Sequence, residues 1–161
     1  MRYVEAISEF ETCLRPHVFM AGGITNCPGW QQELRALLED VPYGTLLNPR
    51  RANFPIHDPK AAKEQIAWEH HALWQAEVFS MWFSSGSIQP ICMFELGAHL
   101  SRWRFQVSPL KAVVIGVDPN YERVQDVVIQ TALIDPSLVI TTTLQQHAEA
   151  ITDAVVNILE R

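Results

Sequence analysis

Residues 77–97 read EVFSMWFSSGSIQPICMFELG. Val78–Phe83 is apolar nearly throughout and carries bulky and aromatic side chains, the pattern of a strand buried on both faces and therefore of a parallel sheet. SSGSIQP, residues 84–90, has the Ser, Gly and Pro content of a loop. The segment from Ile91 to about Arg104 follows as a helix. Strand, loop and helix in this order make part of a βαβ unit, and the rest of the chain repeats the pattern.

Upstream, HVFMA at 17–21 is a short apolar run closing on Gly22-Gly23. Pro28, followed by Trp30, Leu34, Leu37 and Leu38 at helical spacing, predicts a helix over about 28–40. GTLL at 44–47 is a second strand, NPRRANFPIHDP at 48–59 a proline-punctuated loop, and Lys60 to about Glu77 a long helix. Downstream come a strand at 112–117, a helix at about 121–133, a strand at 138–142 and a helix at about 144–159. The first fifteen or so residues are mixed in character. Alternation of this kind predicts an α/β fold, a flavodoxin-like or Rossmann-like doubly wound sheet, mainly parallel, of about five strands. No repeat, low-complexity tract or linker divides the chain, so residues 1–161 are expected to form one domain.

Twelve Lys and Arg against eighteen Asp and Glu give a formal charge of −6 and a pI near 5.4. Duplex nucleic acid and anionic membranes are bound largely through clustered cations, so neither is an expected partner. Cys13, Cys27 and Cys92 are odd in number and contain no CxxC pair, which suits reduced thiols in a cytoplasmic protein. The N-terminal MRYVEAISEFETCLRP has no apolar leader core, and no run of about 20 apolar residues occurs.

In doubly wound sheets, ligands bind beyond the carboxyl ends of the strands. Gly22-Gly23, Asn48–Arg51 and Ser84–Glu95 all fall there. Glu95 lies among Ile91, Cys92, Met93, Phe94 and Leu96, where an ionised carboxylate is costly unless paired or used. It either serves chemistry, or points out from the helix or pairs with Arg102 or Arg104. Gly97 and Ala98 beside it permit close approach of a ligand or another backbone. Glu77 is read as an edge carboxylate whose pKa desolvation raises, suited to a proton donor; the alternative is a solvated helix end. Two such acids around a glycosidic bond supply a nucleophile and an acid.

Asn48, Arg50 and Arg51 offer an amide and two guanidinium groups, suited to a phosphate or to surface acids. Gly22 and Gly23 lack the spacing of a dinucleotide fingerprint and signal close approach only. Trp68 and Phe54 are candidates for base stacking, whereas Trp74 and Trp82 read as core. Adjacent His70 and His71 do not share a helix face, so no metal site is expected there.

VFMAGGIT, LLNPRR, QIAWE with its downstream LWQAEVFSMWF, and QPICMFELG together resemble the nucleoside 2-deoxyribosyltransferase family, particularly its short bacterial and phage-like branch. The resemblance spans about residues 17–100. It implies a flavodoxin-like fold, a homo-oligomer with sites near subunit contacts, and no cofactor. It also implies that Glu95 is the nucleophile forming a sugar ester and that Glu77 assists the departing base. Gly22, Gly23, Asn48, Arg50, Arg51, Trp68, Glu69 and Gln89 complete the expected substrate-binding set. Position 77 is Glu where Asp is usual, and Gln89 stands where an aspartate often precedes the nucleophile. Three functions are thereby expected to compete: transfer of the sugar between bases, hydrolysis of a nucleotide held through Arg50 or Arg51, and nucleotide binding without turnover. The partners are a small nucleoside or nucleotide and a free base.

Overall fold

The computed structural model describes all 161 residues, Met1–Arg161. Six parallel strands form one sheet: β1 (Arg2–Glu5), β2 (His17–Gly22), β3 (Thr45–Asn48), β4 (Val78–Phe83), β5 (Ala112–Val117) and β6 (Ile140–Thr141). Their order is β1-β3-β2-β4-β5-β6. Five helices connect them: α1 (Trp30–Leu37), α2 (Ala61–Gln75), α3 (Pro90–Arg104), α4 (Val124–Ile134) and α5 (Leu144–Leu159). Without β1 the order is that of a flavodoxin-like sheet. No helix is long and apolar enough to cross a membrane.

The expected α/β alternation is present, with a sixth strand added at the edge. β1 reads RYVE and pairs only with β3, from Arg2 opposite Thr45 to Glu5 opposite Asn48. Edge strands need no continuous apolar run, so this segment carries no strong strand signal.

β4 is buried at all six positions. Phe79, Met81 and Phe83 join the core beneath α2, α3 and α4, while Val78 and Trp82 join the core beneath α1 and α5. Ser80 also faces the second core, where its hydroxyl meets His147 Nε2 at 2.9 Å. β2 divides similarly, with Phe19 and Ala21 on one side and Val18 and Met20 on the other. Trp82 is core, as its sequence context suggests, but Trp74 is 43% exposed on α2. The Arg102 guanidinium stacks on the Trp74 ring at 4.3 Å.

Between β2 and β4 the sheet reverses its direction of growth. The chain leaves β2 towards β3 through α1 and leaves β4 towards β5 through α3. The loops after β2 and β4 therefore part, and a crevice opens at the carboxyl end of the sheet.

Gly22, at the lip of this crevice, has φ +149°. A Cβ there would lie 2.4 Å from the Trp82 carbonyl oxygen and 2.5 Å from Trp30 Cζ2. Gly22→Ala is expected to destabilise the fold by about 1–3 kcal/mol through overpacking and backbone strain. Urea unfolding would check this, and an unchanged midpoint would contradict the packing described.

Candidate active site

A cavity of about 260 Å³ occupies the crevice. Phe19 and Ala21 of β2 line it together with Gly22, Gly23, Ile24 and Thr25 from the turn that follows. Pro49 contributes from the loop after β3, Ser87 and Gln89 from the loop after β4, and Ile91 and Cys92 from the first turn of α3. Two carboxylates face into it, Glu69 from α2 and Glu95 from α3. No Lys or Arg is among the lining residues.

Glu95 has its pKa pushed up to about 7, first by burial and then by the charge of Glu69. No hydrogen bond or cation offsets these effects. Burial also raises the pKa of Glu69, partly countered by a hydrogen bond from Gln65 Nε2 at 2.7 Å. The same Gln65 amide donates to the Pro49 carbonyl, tying α2 to the loop after β3. Below about pH 7 Glu95 therefore holds a proton, while both carboxyl groups resist ionising together. Cys92, in the same wall, has its thiol pushed up to about 12 by burial first, which leaves it un-ionised and a poor nucleophile.

The expected meeting of Glu77 with Glu95 does not occur. Glu77 follows Ala76 after the end of α2 and immediately precedes β4, which puts it at the amino end of the sheet. There its carboxylate pairs with Arg15 and accepts the backbone N–H of His17 at 2.8 Å. Its own N–H donates to the His17 carbonyl at 3.1 Å, and its carbonyl accepts from Lys111 at 2.7 Å and Ala112 at 3.1 Å. Glu77 clamps the starts of β2, β4 and β5. The acid that shares the cavity with Glu95 is Glu69.

Other expected site residues shape the walls. Asn48 Oδ1 accepts the Arg50 N–H at 2.9 Å, and its Nδ2 donates to Tyr3 at 2.6 Å, so Asn48 turns the chain out of β3. Arg50 Nη1 donates to the Pro28 carbonyl at 2.8 Å and to Gln31 Oε1 at 3.1 Å. Arg51 lies outside the lining, with its guanidinium 5.5 Å from the Phe54 ring. Trp68 turns away as well: its indole N–H donates to the Ser8 carbonyl at 2.8 Å, and its ring meets Phe10 edge-on at 5.7 Å. Gly22, Gly23, Glu69, Gln89 and Glu95 come together; Glu77, Asn48, Arg50, Arg51 and Trp68 do not line the cavity.

Residues that the sequence reading missed include Gln31, fully buried on α1, whose Nε2 donates to the Gly23 carbonyl at 3.3 Å. Trp30 Nε1 donates to that carbonyl at 2.9 Å. A polar side chain on the apolar face of a predicted helix, one residue from Trp30, was the available signal.

A family model described as "Nucleoside 2-deoxyribosyltransferase like" matches residues 15–109, more than half of the chain. The chain belongs to this family. The match covers β2 through α3, and so every residue lining the cavity. Membership connects the chain with deoxyribosyltransferase-like function and with small nucleoside substrates. No curated protein matches it at a significant level.

The raised Glu95 pKa fixes the sign of a stability effect. The folded protein holds a proton that the unfolded chain releases between the ordinary glutamate value and about pH 7, so stability falls as pH rises through that window. Glu95→Gln removes the effect. Its stability relative to the wild type is expected to improve by up to roughly 3 kcal/mol between pH 4 and pH 8. Denaturant titrations at those two pH values measure the gain, and a pH-independent difference would refute the buried-carboxylate assignment.

Proposed function

We propose that the protein is a nucleoside 2-deoxyribosyltransferase in which Glu95 is the nucleophile and Glu69 the acid. The observation that carries this reading is the pair of carboxylates sharing one partly dry cavity without a cation. A Glu95 carboxylate oxygen attacks C1′ of the nucleoside, the C1′–N bond breaks, and its electron pair stays with the departing base. The attack needs an ionised Glu95, so the proton held by the pair must lie on Glu69, from which it passes to the ring nitrogen of the base. A second base then attacks C1′, loses its own proton to Glu69 and frees Glu95. Two carboxyl groups in these roles are the general solution for a retaining route.

An unphosphorylated nucleoside fits better than a nucleotide. Arg50 already donates within the protein, and the lining contains no cation to offset a 5′-phosphate. These observations disfavour the nucleotide N-glycosidase reading.

Incubation with a deoxynucleoside and a different free base is expected to yield a new nucleoside, whereas hydrolysis would release only free sugar. Rapid quench and mass spectrometry should trap the sugar on Glu95. Glu69→Gln is expected to lower kcat by about 10²–10⁴-fold, and Glu77→Gln to change kcat only a few-fold while lowering stability. Loss of activity in the Glu77 variant with full activity in the Glu69 variant would reverse the assignment. The wild-type kcat/KM should fall as pH rises through about 7, when the pair loses its proton.

We also infer a homo-oligomer. Ile66 on α2 and Ile91 and Phe94 on α3 are 64%, 66% and 75% exposed, on the two helices that carry Glu69 and Glu95, and Ile91 lines the cavity. Burial of such a surface favours self-association. Sedimentation should show a dimer or larger species that dissociates in Ile66→Asp; a monomer in the wild type would refute the inference.

A further inference from the structure

We propose that Gln89 is a positioning residue: its side-chain amide locks the loop after β2 to the loop before α3 and so sets the direction from which Glu95 faces the substrate. The proposal rests on the reading of Glu95 as the nucleophile.

Gln89 is 6% exposed and stands immediately before α3 in the left-handed region, at φ 53° and ψ 58°. Its Oε1 accepts the Gly23 N–H at 3.0 Å, while its Nε2 donates to the Ser84 carbonyl at 2.6 Å and the Ser87 carbonyl at 3.1 Å. Both ends of the amide are therefore occupied, although the side chain lines the cavity. The Gly23 backbone approaches so closely that a Cβ there would lie 2.5 Å from both Gln89 Cδ and Cys27 Sγ, so only glycine fits at this contact.

The lock extends further. The Gly23 carbonyl accepts from Trp30 and Gln31, and Gln31 in turn accepts from Arg50. Asn48 holds the Arg50 backbone. A continuous chain of hydrogen bonds thus joins the carboxyl ends of β4, β2 and β3, the three strands around the cavity. Gln89 is its junction with α3, six residues before Glu95.

The chemistry of the three partners requires an amide at this position. One N–H needs an acceptor, and two carbonyls need a donor. A carboxylate satisfies the first and repels the other two, while adding a third acid to a cavity that already holds Glu69 and Glu95. An apolar side chain of similar length satisfies none of them.

Gln89→Met and Gln89→Glu test the proposal. Both are expected to lower kcat for base exchange by about 10–100-fold, the scale of a displacement near 1 Å, with a smaller change in KM. A role in folding alone would not move the titration of Glu95, followed by carboxyl 13C NMR without substrate. Displacement of α3 in either variant should shift its pKa from the wild-type value, upward in Gln89→Glu through the added charge. Wild-type kcat and an unmoved Glu95 titration in both variants would overturn the proposal. Should the variants fail to fold, hydrogen exchange at the Gly23 amide of the wild type decides the matter: slow exchange supports the lock, and exchange at open-loop rates overturns it. Neither the titration nor the exchange requires turnover. An inactive wild type with a protected Gly23 amide and a Glu95 titration that follows residue 89 would therefore remove the transferase reading while retaining the lock.

Discussion

Two carboxylates are held at the parting of β2 and β4 with no cation to neutralise them, and the molecule is organised around the cost of that placement. Burial of an ionised group costs several kcal/mol even after relaxation, a substantial share of the roughly 5–15 kcal/mol by which domains are stable. Retention of a proton reduces the cost, as the raised pKa of Glu95 reflects. The reserve comes from the sheet itself. β4 is buried at all six positions and, like β2 beside it, sends side chains into both the core under α1 and α5 and the core under α2 to α4.

Much of this architecture was legible in the residues. VFSMWF reads as a doubly buried strand, and HVFMAGG and AVVIGV read the same way, because an apolar run of strand length bounded by turn residues has few other interpretations. β1 was not legible: RYVE acquires its strand character from pairing with β3, a contact distant in sequence. The short β6, reduced to Ile140–Thr141, shows the converse, since LVITT has strand composition but only two of its residues pair. Trp74 illustrates a third difficulty. Its helical context resembles core, but the ring is partly exposed beneath the Arg102 guanidinium.

Within the candidate site, Glu95 was legible from its own neighbours, whereas Glu69 entered the expected set only through the family resemblance and without a role as an acid. Glu95 stands out because its sequence neighbours are apolar. Glu69 sits between Trp68 and His70 on a helix of weak periodicity, and only the packing of α2 against the crevice brings it opposite Glu95. Glu77 attracted the acid role through its position beside a buried strand. Strand polarity excludes it, for the rule that puts ligands beyond carboxyl ends applies to residues that follow a strand, and Glu77 precedes one. Asn48 and Arg50 were correctly located at a strand end, but their polar groups are consumed by the protein, a matter of local geometry that composition does not encode.

The Arg15–Glu77 clamp has a consequence for how the molecule tolerates change. Cohesion of the sheet is anchored at one pole and the cavity opens at the other, with the length of the strands between them. Substitutions in the crest loops can therefore be absorbed while the foundation keeps the strands in register, so the lining of the cavity can change without the sheet having to refold.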